Sequence, residues 1–194
     1  RYRLLETQNR FGGAILEVGC GAGIGLAKLG ARGHLVVGVE LNPENIRRAA
    51  ERHGAGAVSQ GEAERLPLRD NSVAVSGLLE VIYYLAHPAM VVAELARVTE
   101  PGGKIVISWP DPRRAGFIRS PFATNYPLPA DVAGYLDPWC QTVKILGLFG
   151  EKPARMETMI RTMASRLHLI PRNLEWRGRI KRLLRMGGQP LASF

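Results

Sequence analysis

The chain has 194 residues, 46% of them hydrophobic and 22% charged, with a formal net charge of +9. That length and balance describe one globular domain over residues 1–194, large enough to bury a sheet with helices on both faces. No repeat, low-complexity tract or apolar run of about 18 residues is present, which excludes a solenoid and a membrane-spanning helix.

Residues 14–18, an apolar run, read as the first strand, and a helical pattern follows over 24–31. A second strand over 35–40 leads into Asn42-Pro43, a good N-cap and first turn for a helix over 43–53. Residues 57–59 and 73–78 have strand character, and a helix over 88–99 stops at Pro101-Gly102-Gly103 before a strand over 104–109. Strands alternating with helices of this length predict an α/β fold, a doubly wound and mostly parallel sheet whose ligands bind outside the carboxyl ends of the strands. Beyond it, a short helix is expected within 128–140 and a sixth strand over 143–149. Two amphipathic helices follow, one carrying Met156, Met159, Ile160, Met163 and Leu167 on a face, the other Trp176, Ile180, Leu183 and Leu184.

Between the first strand and its helix stand Gly19, Gly21, Gly23 and Gly25 at alternate positions. Glycines there let the backbone approach a ligand or take up positive φ, so a nucleotide-like ligand is expected at this turn. A dinucleotide fingerprint would want G-x-G-x-x-G, whereas position 24 is isoleucine.

"LEVGCGAG" resembles the first motif of class I S-adenosylmethionine-dependent methyltransferases, acidic-x-G-x-G-x-G. "VVGVELNPENI", "GEAERLPLRDNS", "LLEVIYYLAHP" and "ELARVTEPGGKIVIS" are similar, in order and spacing, to later segments of the methyltransferase type 11 subgroup. The resemblance covers residues 14–108 and implies a Rossmann-like cofactor-binding core over 14–109, with a substrate-side segment over 110–194. It implies S-adenosylmethionine as cofactor. Glu17 would then stand beside the methionine moiety, with Gly19, Cys20, Gly21 and Gly23 along the loop. Glu40 would accept from both ribose hydroxyls, with Leu41 next to it; a carboxylate suits the task because its two oxygens serve two donors. Glu62, with Ala63, would meet the adenine amino group, Glu64 being a rival. Leu79 and Glu80 follow the fourth strand, where a backbone carbonyl faces the cofactor amino group. Ala74 stands where the subgroup has Asp, and Tyr83 and Tyr84 where it has a pair often ending in His.

Methyl transfer from a sulfonium is an in-line displacement in which alignment supplies much of the acceleration and a base is optional. No triad or metal cluster is expected. Tyr84 and His87 are the catalytic candidates, His87 also reading as a plain helix-entry residue, and Tyr126 and Tyr135 are further substrate contacts. Cys20 is expected to pack under the loop rather than act as a nucleophile. The acceptor is expected to be a small lipophilic or aromatic molecule, methylated at O, N or C. Two other readings stand beside it, a tRNA or RNA methyltransferase and a catalytically silent cofactor-binding partner subunit.

The charge is uneven: residues 1–150 carry 16 Lys and Arg against 14 Asp and Glu, and residues 151–194 carry 10 against 3. The basic tail reads as a solvated helix face or as a surface for an acidic partner such as nucleic acid. Cys20 and Cys140 form neither a zinc pattern nor a disulfide framework, so a reducing, cytoplasmic setting is expected. The sequence opens at Arg1, which leaves trimming, processing and a longer parent chain open, and it displays no signal peptide.

Overall fold

In the computed structural model the described residues are 2–9, 12–114 and 116–147, within a compact unit Arg1–Gly147. The two amphipathic helices expected over the basic tail lie outside them. Five parallel strands, β1 (Ile15–Val18), β2 (Val36–Glu40), β3 (Val58–Gln60), β4 (Val73–Leu79) and β5 (Thr99–Ser108), form one sheet in the order β3-β2-β1-β4-β5. The order reverses between β1 and β4, which opens a crevice at their carboxyl ends.

β1 and β4 are buried along their whole length because both of their faces are covered. Helices α1 (Tyr2–Gln8) and α2 (Ile24–Gly30) supply Leu5, Leu26 and Leu29 to a cluster with Ile15, Val36 and Val75. Helices α4 (Pro88–Val98) and α5 (Pro129–Leu136) supply Val91, Leu95, Val98, Val132 and Leu136 to a second cluster with Leu16, Val18, Val39 and Leu78. Adjacent residues Ile15 and Leu16 belong to different clusters, as the two-residue period of a strand requires. Helix α3 (Pro43–His53) starts where Asn42 Oδ1 accepts from the N–H groups of Glu44 and Asn45, 2.9 and 3.1 Å away.

Four expectations change. Helix α1 has no counterpart in the sequence reading. Residues 99–103 do not merely stop α4: Thr99 already pairs with Val73, and the ladder resumes at Val75 and Lys104, so Pro101-Gly102-Gly103 forms an excursion inside β5. Leu79 does not follow the fourth strand but ends it, paired with Ser108. Residues 143–147 of the expected sixth strand are irregular, with Ile145 and Leu146 exposed rather than packed on a sheet, and 148–149 lie outside the described residues.

Candidate active site

The glycine loop, Glu40, Glu62 and Glu80 all emerge at the carboxyl edge of the sheet. The loop is tied to β2 by its own backbone: the N–H groups of Gly19 and Cys20 donate to the Val39 carbonyl at 2.7 and 3.3 Å, and Gly23 N–H donates to Cys20 O at 3.1 Å. Gly21 N–H donates to Glu40 Oε2 at 2.8 Å, while Asn42 N–H donates to Glu40 Oε1 at 3.0 Å. The Glu40 carboxylate is thus oriented by a donor on each oxygen.

Three of the four glycines owe their identity to neighbours in the protein. A Cβ on Gly19 would lie 2.4 Å from Val81 Cγ2, one on Gly23 2.9 Å from the Ala49 backbone, and one on Gly25 2.4 Å from Glu17 Oε2. Gly21 differs. It has φ 54°, and its missing Cβ would meet nothing within 4 Å, so the loop presents bare backbone to open space at the crevice.

Glu17 is 3% exposed in the middle of β1, and burial pushes its carboxyl up to about 7, against a hydrogen bond from Tyr2 that lowers it. Its Oε2 has no hydrogen-bond partner. Cys20 packs against Gly38; burial, with the charges of Glu17 and Glu40, raises its thiol to about 12.

Gly61 N–H donates to the Glu40 carbonyl at 3.1 Å, which brings the next residues, exposed Glu62 and half-buried Ala63, to the edge beside Glu40. Leu41 is 62% exposed at the same edge. The segment after Glu62 is clamped to α4. Arg97 donates to the Leu66 and Leu68 carbonyls at 3.1 and 2.9 Å, to Glu94 at 2.7 Å and to Asp70 at 2.6 Å, and Leu66 N–H donates to Glu94 at 2.8 Å.

Beyond β4, Glu80 adopts φ 63°, unusual for a residue with a side chain. Its N–H donates to Ser108 O at 2.8 Å, and its carboxylate accepts from Ser108 Oγ at 3.3 Å and Tyr83 OH at 3.4 Å. Tyr83 is buried and stacks on Tyr126 with centroids 4.9 Å apart; Phe117 meets Tyr126 edge-on at 4.7 Å, and Tyr84 lies tilted 4.4 Å from Tyr83. Tyr126 is therefore a core residue rather than an open contact, while Tyr135 is half-buried on α5. Tyr84 is exposed and donates to Ser120 Oγ at 3.4 Å. His87 is exposed at the entry to α4 with no capping bond from its side chain. The sequence reading named Tyr83, Tyr84 and Tyr126 but not their packing, with Phe117, into one aromatic group. Among the described residues no group of three or more His, Cys, Asp or Glu is placed to hold a metal, and no helix is long and apolar enough to cross a membrane. A cavity of about 430 Å³ lies at the opposite edge of the sheet, lined by Asn9, Glu100 and Lys104 among others, away from every one of these groups.

A sequence profile described as "Methyltransferase domain" matches residues 16–107. A protein of Mycolicibacterium smegmatis named as a probable S-adenosylmethionine-dependent methyltransferase is 32% identical over 97 residues, 50% of this chain and 38% of that protein. The phthiotriol/phenolphthiotriol dimycocerosates methyltransferase of Mycobacterium leprae is 35% identical over 109 residues, 54% of this chain and 40% of that enzyme. Among solved structures, the PH0226 protein of Pyrococcus horikoshii superposes with a TM-score of 0.50 at 26% identity, covering 54% of this chain and 52% of that one. The match thus accounts for well under half the length of both curated relatives.

Proposed function

We propose that the chain, which resembles the type 11 group of class I S-adenosylmethionine-dependent methyltransferases over residues 16–107, transfers a methyl group from S-adenosylmethionine to a small lipophilic or aromatic acceptor. The observation that carries this reading is the glycine loop. Gly21 offers open backbone beside an oriented Glu40 carboxylate, while the N–H groups of Gly19, Cys20, Gly21 and Gly23 are spent on the protein itself. A loop built for a pyrophosphate keeps such N–H groups for the ligand, so this edge suits a nucleoside without phosphates.

The residues present fit the cofactor. Glu40 would hold the ribose hydroxyls, Glu62 and Ala63 the adenine, and the buried, partnerless Oε2 of Glu17 the ammonium of the methionine end. Leu41 would cover the nucleoside, and the backbone at Leu79 and Glu80 would meet the cofactor amino group. When bound, S-adenosylmethionine supplies a methyl group already activated by the sulfonium charge. The protein then has to align the acceptor and exclude water. Tyr84, 44% exposed between β4 and α4 and hydrogen-bonded to Ser120, with Ile118 and Phe122 beyond β5, 45% and 78% exposed, supplies apolar surface that supports a lipophilic acceptor. The mycobacterial relative named for phthiotriol and phenolphthiotriol dimycocerosates agrees with that preference.

The test is a metabolite extract incubated with the protein and isotopically labelled methyl donor, followed by mass identification of what becomes labelled. Labelling of an apolar small molecule is expected. Label entering only tRNA, or none entering while the chain binds the donor, would replace this reading by the nucleic-acid or the silent-subunit one.

A further inference from the structure

The segment that follows β5 is fastened to the carboxyl edge of the sheet. The N–H groups of Thr124 and Asn125 donate to the Tyr83 carbonyl at 2.9 and 3.2 Å, and Thr124 Oγ1 donates to the Tyr84 carbonyl at 3.2 Å. Tyr83 in turn donates from its hydroxyl to Glu80 at 3.4 Å, so this fastening adjoins the proposed donor site. Ser120 N–H donates to Tyr126 OH at 2.8 Å, and Phe117 turns inward, edge-on to the Tyr126 ring. Ile118 and Phe122 do the opposite and stand in water. Between and around them are cations: residues 110–128 carry three Arg against one Asp, with no Lys or Glu. Arg113 is exposed and paired with Asp111 at 2.9 Å, and the Arg119 guanidinium lies 5.2 Å from the Tyr126 ring centroid. Exposed apolar side chains interleaved with arginines, on a loop anchored from beneath, suit an interface that is apolar in depth and anionic at its surface.

We propose that this loop docks on an anionic lipid bilayer, with Ile118 and Phe122 entering the apolar layer and Arg113 and Arg119 at the headgroup phosphates, so that a lipid acceptor reaches the crevice from the bilayer. The proposal rests on the lipophilic-acceptor reading above for what enters the crevice, and adds where that acceptor is met. A second copy of the chain fits the loop poorly, since each copy carries a net charge of +9 and brings arginines against arginines. Nucleic acid would answer the arginines but leave Ile118, which has no ring to stack on a base, without a partner.

Flotation of the full chain tests this with vesicles of phosphatidylcholine alone and of phosphatidylcholine and phosphatidylglycerol in equal parts. The anionic vesicles should bind the protein about tenfold better than the neutral ones. Basic residues within 151–194 would also attract an anionic surface, so the loop variants carry the decision. Ile118→Ser combined with Phe122→Ser should cut partition to anionic vesicles about tenfold or more, with S-adenosylmethionine affinity in calorimetry unchanged. Arg113→Gln combined with Arg119→Gln should also cut it and flatten its salt dependence. Partition left unchanged by the serine pair overturns the inference and leaves the cofactor reading in place. So does a wild-type chain that ignores both vesicles, including one that instead binds tRNA through the same arginines. Should the serine pair lose the cofactor as well, Phe122→Trp decides: its added emission must be quenched by phosphatidylcholine brominated in the acyl chains, and emission untouched by bromine overturns the inference. A wild-type chain that floats with the vesicles but binds no S-adenosylmethionine overturns the cofactor reading alone.

Discussion

Glu40 and Gly21 share a hydrogen bond of 2.8 Å, so the loop and the proposed ribose acceptor are one unit. Glu40→Ala removes a charged acceptor and releases two backbone donors, and should weaken S-adenosylmethionine by about 1.5–3 kcal/mol in calorimetry. Gly21→Val should nearly abolish binding, because a branched side chain cannot take φ 54° without strain and would fill the one open position of the loop. Unchanged affinity in both would end the cofactor assignment; micromolar NAD in place of S-adenosylmethionine would turn it toward a dehydrogenase. Glu17 carries a different prediction, on stability. Its folded value of about 7 lies above its ordinary 4.5, so the native state holds this proton more tightly than the unfolded chain does. The resulting stability is fully present below pH 4.5 and is lost as pH rises through 7, about 3 kcal/mol over the window for the ligand-free protein. In Glu17→Gln, denaturant titrations across that window should lose this slope.

At the scale of elements, the segment from Leu66 to Asp70 stays in place because Arg97 on α4 satisfies two of its carbonyls and pairs with Glu94 and Asp70. Arg97→Met should destabilise the fold by about 2 kcal/mol, seen as a Tm lowered by several degrees, since two carbonyls and the Glu94 carboxylate lose their donor together. Asp70→Asn should cost under about 0.5 kcal/mol, because Asp70 is 69% exposed and its pair is screened. The clamp also marks how far pattern reaches. Apolar runs and the Asn42-Pro43 start located β1, β2, β4 and α3 to within a residue, because these elements are decided by local burial and capping. The two segments containing Asp70 and Glu94-Arg97 were legible as motifs, but not as a clamp: the Glu94–Arg97 pair follows the helical i,i+3 spacing, whereas Asp70 is 27 residues from Arg97 with no period linking them. The role of Gly25 was hidden for the same reason: its space is claimed by Tyr2, on a helix of seven residues too short to show a period. Glu80 gave no sign of its positive φ, because that conformation is imposed by the pairing of β4 and β5 through Ser108 rather than by residue type.

At the scale of the molecule, the described residues form two hydrophobic clusters, one against α1 and α2 and the other against α4 and α5. Every group proposed to hold the cofactor, from Glu17 to Glu80, lies within Arg1–Gly147, which is one compact unit. A chain ending at Gly147 should therefore fold cooperatively and bind S-adenosylmethionine within a few fold of the full chain. The basic tail, with 10 Lys and Arg against 3 Asp and Glu over 151–194, is then free to be assigned by its own assay. Acceptor methylation lost on truncation at retained cofactor affinity would place acceptor alignment in the tail. Binding to tRNA that falls steeply with salt in the full chain and vanishes on truncation would make the tail an electrostatic surface for nucleic acid. A truncated chain that unfolds, judged by loss of a cooperative denaturant transition, would show instead that residues beyond Gly147 belong to the core and that the unit at 1–147 does not stand alone.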